Sequence, residues 1–367
     1  MTKRHIVIDA RIRNSSTGRY MDRLLQHLQE LDQENRYTVL VDPADPWEAT
    51  VTNFTVKICK YKRFSDNPLE HLMYGWYLHL LRPDLVHFGQ TPQEPVLYFG
   101  RRVTTTHDLS MLRFTRPGRR SVWMHQIRMT GYRLLFWISH RQASQIIVPT
   151  QFVADDLIRH YPFTKNKVTV TLEASEPPLR VAASPLKGVA KPFIFHVGSP
   201  FPHKNIERLI EAFEQLAEKY PELQLVLPGK KEHYFEQLQK QIDASPVQDR
   251  IVVPGFISDA ELKWLYEHAE AYVLPSLSEG FGLPGLEAMA HGCPLVSSNA
   301  TCLPEVYGEA AHYFDPQSVN DIAQKLAEVL DDAKLRQNLI AKGKEQVKKF
   351  SWRRMAEQTL DVYKKFL

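Results

Sequence analysis

Residues 271–290 have the sequence AYVLPSLSEGFGLPGLEAMA, and this stretch determines the fold class of the chain. Its first four residues form a short apolar run that predicts a buried strand. A loop with two glycines follows, and the residues from 285 onward predict a helix. A strand that passes through a glycine-containing loop into a helix is the repeating unit of α/β proteins with parallel sheets.

The same succession of strand, loop and helix recurs elsewhere in the chain. Where the segments between apolar runs look helical, they have about the length of βα units, so mostly parallel sheets are expected. The further predicted strands are residues 6–8, 37–41, 85–88, 103–106, 146–148, 168–170, 193–198, 223–227, 251–253 and 294–296.

The chain is long enough for two domains. Its 367 residues exceed the size at which a single hydrophobic core stops growing. Residues 176–192 are rich in proline and small residues and lack apolar periodicity, which is typical of an interdomain linker. The sequence therefore predicts an α/β protein with two doubly wound domains, residues 1–185 and 186–351.

Composition excludes several classes of protein. A hydrophobic fraction of 43% and a charged fraction of 24% are those of a folded globular chain. The 46 basic and 42 acidic residues leave a net charge of +4, which is too small for a general nucleic-acid binder. The three cysteines lack the number and spacing of a disulfide framework or a zinc site, so a cytoplasmic location is expected. Because the first residues lead directly into a predicted strand, and no apolar run approaches the roughly 18 residues that span a membrane, neither a signal peptide nor a membrane-spanning segment is expected.

The loop after the strand at 271–274 carries the first candidate site residues. Doubly wound sheets bind ligands beyond the carboxyl ends of their strands. Backbone amides near a helix start can bind an anion or sugar hydroxyls, and the carboxylates of Glu279 and Glu287 can accept hydrogen bonds from a polyol. In the alternative interpretation, the glycines form an ordinary turn and Glu287 only complements the helix N-terminus.

A second loop, residues 198–205, places Lys204 at a predicted helix start. A lysine in this position suits a diphosphate, because its charge neutralises the negative charge that grows on a leaving group. The alternative interpretation is a solvated surface lysine.

The pair Glu279 and Glu287, within the sequence EGFGLPGLEAMA, resembles the signature of retaining glycosyltransferases of family 4, which have the GT-B fold. Several motifs in matching order extend the resemblance over nearly the whole chain. They are residues 8–11, 17–20, 106–109, 197–198, 204–205, 253–256, 303–306 and 350–352. The resemblance implies two Rossmann-like domains that face each other across a cleft. It implies acceptor binding by residues 1–185, donor binding by residues 186–351, and a final helix, 352–367, packed on the first domain.

The resemblance also implies a role for each site residue. Glu279 would contact hydroxyls of the transferred sugar, Glu287 the donor ribose, and Lys204 the diphosphate. His107 would lie near the reacting sugar, although a neighbouring His-Asp pair is often only a helix cap or a structural hydrogen bond. Gly18 would let the N-terminal loop approach donor and acceptor. The other implied donor-binding residues are Ser199, Gly255, Phe256, Ile257, Gly280, Phe281, Gly282 and Leu283.

Two motifs differ from the family pattern. Many relatives have arginine where this chain has Ser199 and His203, so Lys204 would bind the diphosphate with less help. The Asn-Gly-Val-Asp motif that usually follows the last strand of the first domain is replaced by residues 172–176, to which no role is assigned.

The activity implied by the resemblance is hexosyl transfer with retention, without a metal or other cofactor. A departing phosphate oxygen would help to deprotonate the acceptor. The first donor expected is GDP-mannose, and the product a surface polysaccharide of O-antigen type built on a glycan or a polyprenyl-linked acceptor. The alternatives are a UDP-hexose donor, an enzyme similar to glycogen synthase or phosphorylase, or a nucleotide-sugar-binding subunit without catalysis.

Residues 109–154 contain no acidic residue, and arginines alternate there with aromatic residues. Such a segment suits an interface with anionic lipid headgroups, which predicts contact with the inner face of the plasma membrane or with a lipid-linked acceptor. The alternatives are nucleic acid, for which no motif is found, and a pair of helices that covers the first sheet. The residues predicted to make the contact are Arg116, Arg119, Arg120, Trp123, Arg128 and Trp137.

Overall fold

A computed structural model describes residues 3–13, 15, 17–63, 65, 67–114, 122–231 and 234–367. The chain forms two compact units. The first consists of Met1–Leu112, Ser121–Glu173 and Ser351–Leu367, and the second is formed mainly by Ala174–Phe350.

Parallel strands and helices alternate in both units. The strands are β1 His5–Asp9, β2 Arg36–Val41, β3 Phe54–Ile58, β4 Leu85–Phe88, β5 Arg102–Thr105, β6 Gln145–Val148, β7 Val168–Val170, β8 Phe193–Phe195, β9 Gln224–Val226, β10 Ile251–Val252, β11 Ala271–Leu274, β12 Leu295–Ser298 and β13 Ala311–Phe314. The helices are α1 Gly18–Leu31, α2 Pro68–Leu80, α3 Ser110–Arg113, α4 Val122–Gln142, α5 Gln151–His160, α6 Ile206–Lys219, α7 Phe235–Ala244, α8 Asp259–His268, α9 Leu283–Ala290, α10 Leu303–Tyr307, α11 Val319–Asp331, α12 Ala333–Val347 and α13 Trp352–Lys364.

The sheet of the first unit has the order β3-β2-β1-β4-β5-β6-β7 over the described residues, and each neighbouring pair is parallel. The central strand β1 is fully buried, with Ile6 between Tyr37 of β2 and Leu85 of β4. The strand order changes direction between β1 and β4, so the loops after these two strands lie at the switch point where such sheets bind ligands.

Helix α13 belongs to the first unit, although it follows the second unit in sequence. It packs against α1. Tyr363 of α13 is buried, and its Oη lies 2.5 Å from Nδ1 of His87 in β4. The end of the chain therefore completes the first unit.

The sheet of the second unit has the order β10-β9-β8-β11-β12-β13, also parallel throughout the described strands. Its core joins apolar residues of the sheet, such as Ile194 and Val273, to Leu209 and Phe213 of α6. Here the switch point lies between β8 and β11. The predicted α/β class, with two doubly wound units, is confirmed.

The units divide between Glu173 and Ala174, ahead of the boundary predicted at residue 185. The proline-rich stretch after Ala174 is bonded to the second unit. Lys263 Nζ donates to the carbonyl oxygen of Val181 at 3.0 Å, and Ser184 N donates to that of Ala260 at 3.0 Å. Amino-acid composition does not reveal these hydrogen bonds, so the predicted boundary differs from the observed one.

The sequence also did not predict β3 and β13. Each lies at an edge of its sheet, and partly or fully exposed positions interrupt its apolar run. An edge strand has one unpaired side, so it can form without a continuous run of apolar residues.

Over the described residues, no helix combines the length and the apolar character that crossing a bilayer requires.

Candidate active site

Lys204 and Glu279 lie together at the switch point of the second sheet. Lys204 is in the loop after β8, and Glu279 is in the loop after β11. Because β8 and β11 are neighbouring parallel strands, both loops leave the sheet at the same edge. The Lys204 Nζ is 2.7 Å from Glu279 Oε1, so the two groups form an ion pair.

The ion pair is largely enclosed. The Glu279 side chain is 12% exposed and that of Lys204 is 21% exposed. Burial by itself would raise the pKa of Glu279, but the charge and hydrogen bond of Lys204 outweigh it, together with a hydrogen bond that Ser276 Oγ donates at 2.6 Å, and the pKa is lowered. Glu279 is therefore a carboxylate that can accept hydrogen bonds from hydroxyls, beside an ammonium group that can bind phosphate.

The loop that contains Glu279 and Gly282 is held by α10 and by the two residues before this helix. Gly282 has a φ of +90°, a conformation that suits glycine. Tyr307 Oη donates to the Gly282 carbonyl oxygen at 2.5 Å, and Glu279 N donates to Thr301 Oγ1 at 3.1 Å. Cys302 Sγ donates to the Glu279 carbonyl oxygen at 3.2 Å. No local sequence pattern predicts this support, because it depends on contacts between residues that are more than 20 positions apart in the chain.

The remaining loop residues contribute in different ways. Phe281 is buried, with its ring against Phe350 at 5.5 Å between centroids, so its side chain belongs to the core. Leu283 is the first residue of α9, and Gly280 precedes Phe281 in the loop. Glu287 lies within α9, where its Oε2 is 3.4 Å from Tyr266 Oη. The loop can thus offer backbone groups and the carboxylate of Glu279, and α9 adds the carboxylate of Glu287.

Ser199 lies in the same loop as Lys204, after β8, whereas Gly255, Phe256 and Ile257 lie in the loop after β10. Gly255 has a φ of +83°, and its carbonyl oxygen accepts a hydrogen bond from Gly229 N at 2.9 Å. Phe256, next to it, is 80% exposed. An exposed aromatic ring beside a constrained glycine is available to stack on a planar group such as a nucleotide base.

His107 lies in the first unit, directly after β5, and is buried. Its Nδ1 is 3.3 Å from Glu173 Oε1 and its Nε2 is 3.0 Å from the Gly89 carbonyl oxygen. Burial by itself would lower the pKa of His107, but the hydrogen bond and charge of Glu173 outweigh it and the pKa is raised. Sequence reasoning missed Glu173, which lies in the segment to which it assigned no role.

Asp108, the residue after His107, has the structural role considered as an alternative. Its Oδ1 accepts a hydrogen bond from Ser110 N at 2.7 Å, at the start of α3. The helix-cap interpretation therefore holds for Asp108, and His107 has other partners.

Gly18 begins α1, and its backbone N donates to the Ser15 carbonyl oxygen at 3.0 Å. A Cβ at this position would overlap the carbonyl group of Arg13. The structure thus supplies a local reason for glycine, namely the close approach of the preceding loop to the helix start.

Three residues of the predicted membrane-contacting segment, Arg116, Arg119 and Arg120, lie outside the described residues. The other three are on α4, where Trp123 is 73% exposed and Trp137 is 45% exposed. Arg128 is also exposed, and its guanidinium lies over the ring of Tyr132, 5.2 Å from its centroid. Phe136 of the same helix is buried in the core of the first unit. Helix α4 thus packs on the first unit through Phe136, while its aromatic and basic side chains Trp123, Trp137 and Arg128 are exposed.

Helix α2 carries an exposed apolar stripe that sequence analysis did not identify. The segment between β4 and β5 touches both α2 and α4: Gly75 of α2 packs against the backbone of Leu97 and Tyr98, and Gln142 Nε2 of α4 donates to the Val96 carbonyl oxygen. The two helices are therefore neighbours across this segment. The exposed residues of the α2 stripe are Leu69, Leu72, Met73, Trp76 and Leu80.

The chain is similar to known protein families and to solved structures. Residues 182–346 match the family described as "Glycosyl transferases group 1", and residues 17–171 match "Glycosyltransferase Family 4". The O-antigen chain mannosyltransferase B of Escherichia coli is 32% identical over 276 residues, which are 72% of this chain and 70% of that protein. The serotype-specific mannosyltransferase WbdA of Escherichia coli is 31% identical over 242 residues, 64% of this chain but 29% of that longer protein. The sucrose-phosphate synthase structure from Thermosynechococcus elongatus superposes with a TM-score of 0.77 at 17% identity, covering 99% of each chain.

Proposed function

Since this chain belongs to family 4 of the glycosyltransferases, we propose that it transfers mannose from GDP-mannose to a glycan or lipid-linked glycan during surface-polysaccharide synthesis. The observation that carries the proposal is the Lys204–Glu279 ion pair at the switch point of the second sheet. The choice of mannose is supported by the relatives named as O-antigen and serotype-specific mannosyltransferases.

The two side chains of the ion pair suit two neighbouring parts of a nucleotide-sugar donor, the sugar and the diphosphate. Glu279 would accept hydrogen bonds from hydroxyls of the transferred sugar, while Lys204 would bind the diphosphate. Glu279 holds the Lys204 ammonium group in place, and Ser276 holds the Glu279 carboxylate by a hydrogen bond. Little reorganisation of these groups is therefore needed when charge develops on the leaving phosphate. We propose that Lys204 and the amides of the Gly282 loop do this charge stabilisation without a metal ion. Glu287 would bind the donor ribose, and Phe256 would stack on the base.

The proposed donor is tested by thermal unfolding with nucleotides. A ligand at 100 times its dissociation constant adds about 2.7 kcal/mol to the free energy of unfolding. GDP and GDP-mannose are therefore expected to raise the melting temperature, while UDP and AMP leave it unchanged. A response to UDP alone would replace the proposal with the UDP-hexose alternative. Binding of GDP-mannose without transfer of radiolabelled mannose to a lipid-linked acceptor would support a non-catalytic subunit instead.

We also propose that the exposed residues of α4 and α2 contact an anionic membrane, from which a lipid-linked acceptor is reached. Right-handed crossover connections place α2 and α4 on the same face of the first sheet. This face combines the apolar stripe of α2 with Trp123, Trp137 and Arg128 of α4. Apolar side chains that enter the headgroup region and arginines that attract anionic lipid are the two contributions on which peripheral binding depends.

Vesicle flotation tests this contact. The wild-type protein is expected to float with vesicles that contain phosphatidylglycerol, less so at high salt, and not with purely phosphatidylcholine vesicles. A Trp123→Ala/Trp137→Ala variant should bind anionic vesicles several-fold more weakly, because two exposed aromatic side chains are lost. Phe256→Ala removes an aromatic residue of the second unit that is more exposed than either tryptophan, and this variant should bind vesicles like wild type. Equal flotation of both variants, or no lipid-dependent binding, would contradict the proposal.

A further inference from the structure

We infer that Glu173 is a positioning residue that holds His107 as a doubly protonated cation, so that His107 assists transfer through its charge and not as a base. The part of the inference that gives this charge a role in transfer rests on the proposed function. The protonation state itself follows from geometry within the first unit.

Both ring nitrogens of His107 face acceptors. Nε2 is 3.0 Å from the carbonyl oxygen of Gly89, which can only accept a hydrogen bond. Nδ1 is 3.3 Å from Oε1 of Glu173, which as a carboxylate can also only accept. A neutral imidazole has one N–H and one lone pair, so one of the two contacts would bring lone pairs together.

Water cannot easily relieve such a conflict at this position. The side chains of His107 and Glu173 are 8% and 7% exposed. An unsatisfied buried polar group destabilises the folded state, and an unpaired buried carboxylate does so more strongly. The imidazolium form satisfies both contacts and also pairs the charge of Glu173.

The other groups around His107 are compatible with a positive charge. Asp108 is adjacent and favours the charged ring, as does Glu173. The ring of Tyr20, from α1, meets the imidazole edge-on at 5.0 Å. His87, in β4, is close enough to His107 for the two charges to interact, and burial, followed by the charge of His107, lowers the pKa of His87 to about 3. His87 is therefore neutral and does not repel the cation.

This arrangement limits what His107 can do. Neither ring nitrogen has a lone pair available, so His107 cannot remove a proton from an acceptor hydroxyl while both contacts persist. The acceptor proton must then go elsewhere, and a phosphate oxygen of the departing nucleotide is the acceptor that the proposed reaction itself supplies. The transfer rate should fall when His107 loses its second proton at alkaline pH.

Glu173→Gln is the decisive variant, because glutamine keeps the shape of the side chain and removes its charge. At this distance the negative charge of Glu173 favours the protonated form of His107 enough to change the ratio of protonated to neutral imidazole about tenfold. The ratio of variant to wild-type kcat is therefore expected to fall about tenfold between about pH 6 and about pH 8. Glu94→Gln is the matched control. Glu94 is a buried glutamate of the same unit that accepts hydrogen bonds from Thr104 and Ser139, and its replacement should leave the pH profile unchanged.

A measurement without substrate separates this inference from the proposed function. The imidazole NMR signals of His107, assigned with a His107→Gln variant, should show both nitrogens protonated in the wild type at about pH 7 and only one in Glu173→Gln. This result would stand even if the chain failed to transfer mannose. A neutral His107 in the wild type, or an identical titration of His107 in Glu173→Gln, would overturn the inference.

The same variant has a stability effect with a defined sign. Because the folded-state pKa of His107 is raised, its contribution to the free energy of unfolding is fully present below the ordinary histidine pKa and is lost as pH rises through the raised value. Glu173→Gln should therefore lower the melting temperature more at about pH 6 than at about pH 9. A loss that is equal at both pH values would mean that Glu173 acts only in packing.

Discussion

A Lys204→Ala variant is expected to turn over about 10²- to 10³-fold more slowly than wild type. Lys204 is the cation paired with Glu279 at the switch point of the second sheet, and the same loop contains Ser199 and His203 rather than arginines. The lysine should therefore account for most of the charge stabilisation on the leaving diphosphate. The effect is measured as kcat for mannose transfer at saturating GDP-mannose.

The stability of this variant has to be followed in parallel. Lys204 lowers the pKa of Glu279, so the ion pair adds to the free energy of unfolding above the ordinary carboxyl pKa, and this contribution is lost as pH falls through the lowered value. In Lys204→Ala the buried carboxylate is left without its cation, and the melting temperature should drop at neutral pH. Rates are therefore compared well below the melting temperature of the variant.

Two further variants make the result specific. Lys204→Arg keeps the charge and should restore part of the rate. Lys219→Ala breaks a lysine–carboxylate pair of the same unit, Lys219 with Asp331, whose side chains are more than half exposed. An exposed ion pair contributes little to the free energy of unfolding, so the Lys219→Ala control should have the stability and the transfer rate of wild type. If Lys204→Ala kept the wild-type rate, Lys204 would have no part in the mechanism.

A Gly282→Ala variant is expected to destabilise the second unit by about 2–4 kcal/mol and to lose donor binding. Gly282 has a φ of +90°, where a side chain strains the backbone. The added Cβ would overlap Tyr307 Oη and lie 2.8 Å from Leu303 Cδ2. Tyr307 is fully buried and cannot simply move away, so the loop itself must shift. The loop amides and Glu279 would then leave the positions proposed for donor contact.

The effect is measured by chemical denaturation and by the melting-temperature response to GDP. Gly131→Ala is the control, because Gly131 lies within α4 and, apart from its chain neighbours and the backbone of its own helix, no atom of the described residues lies within 4 Å of its added Cβ. That substitution should raise stability by up to about 1 kcal/mol, since alanine is the better helix former. Wild-type stability and an unchanged GDP response in Gly282→Ala would show that the Tyr307 contact does not determine the shape of the loop.

Much of the fold could be predicted from short stretches of sequence. Apolar runs such as residues 6–8 and 271–274 lie in β1 and β11, since a strand buried on both faces must be apolar throughout. The edge strands β3 and β13 were missed, because exposure on one side removes that signal. The division between the units was placed too late, since the hydrogen bonds of Val181 and Ser184 to the second unit are not encoded in composition.

The candidate site divides in the same way. The types of the site residues and their places in loops could be read from the amino-acid sequence, because Lys204 and Glu279 each follow an apolar run and His107 follows another. The partners of these side chains depend on how the strands are paired. Lys204 meets Glu279, 75 residues away, because β8 and β11 are paired in parallel. His107 meets Glu173, 66 residues away, because β5, β6 and β7 end at one edge of the first sheet. Local sequence sets whether a segment becomes strand or loop, whereas the charge state of a buried side chain depends on which distant group the sheet brings beside it.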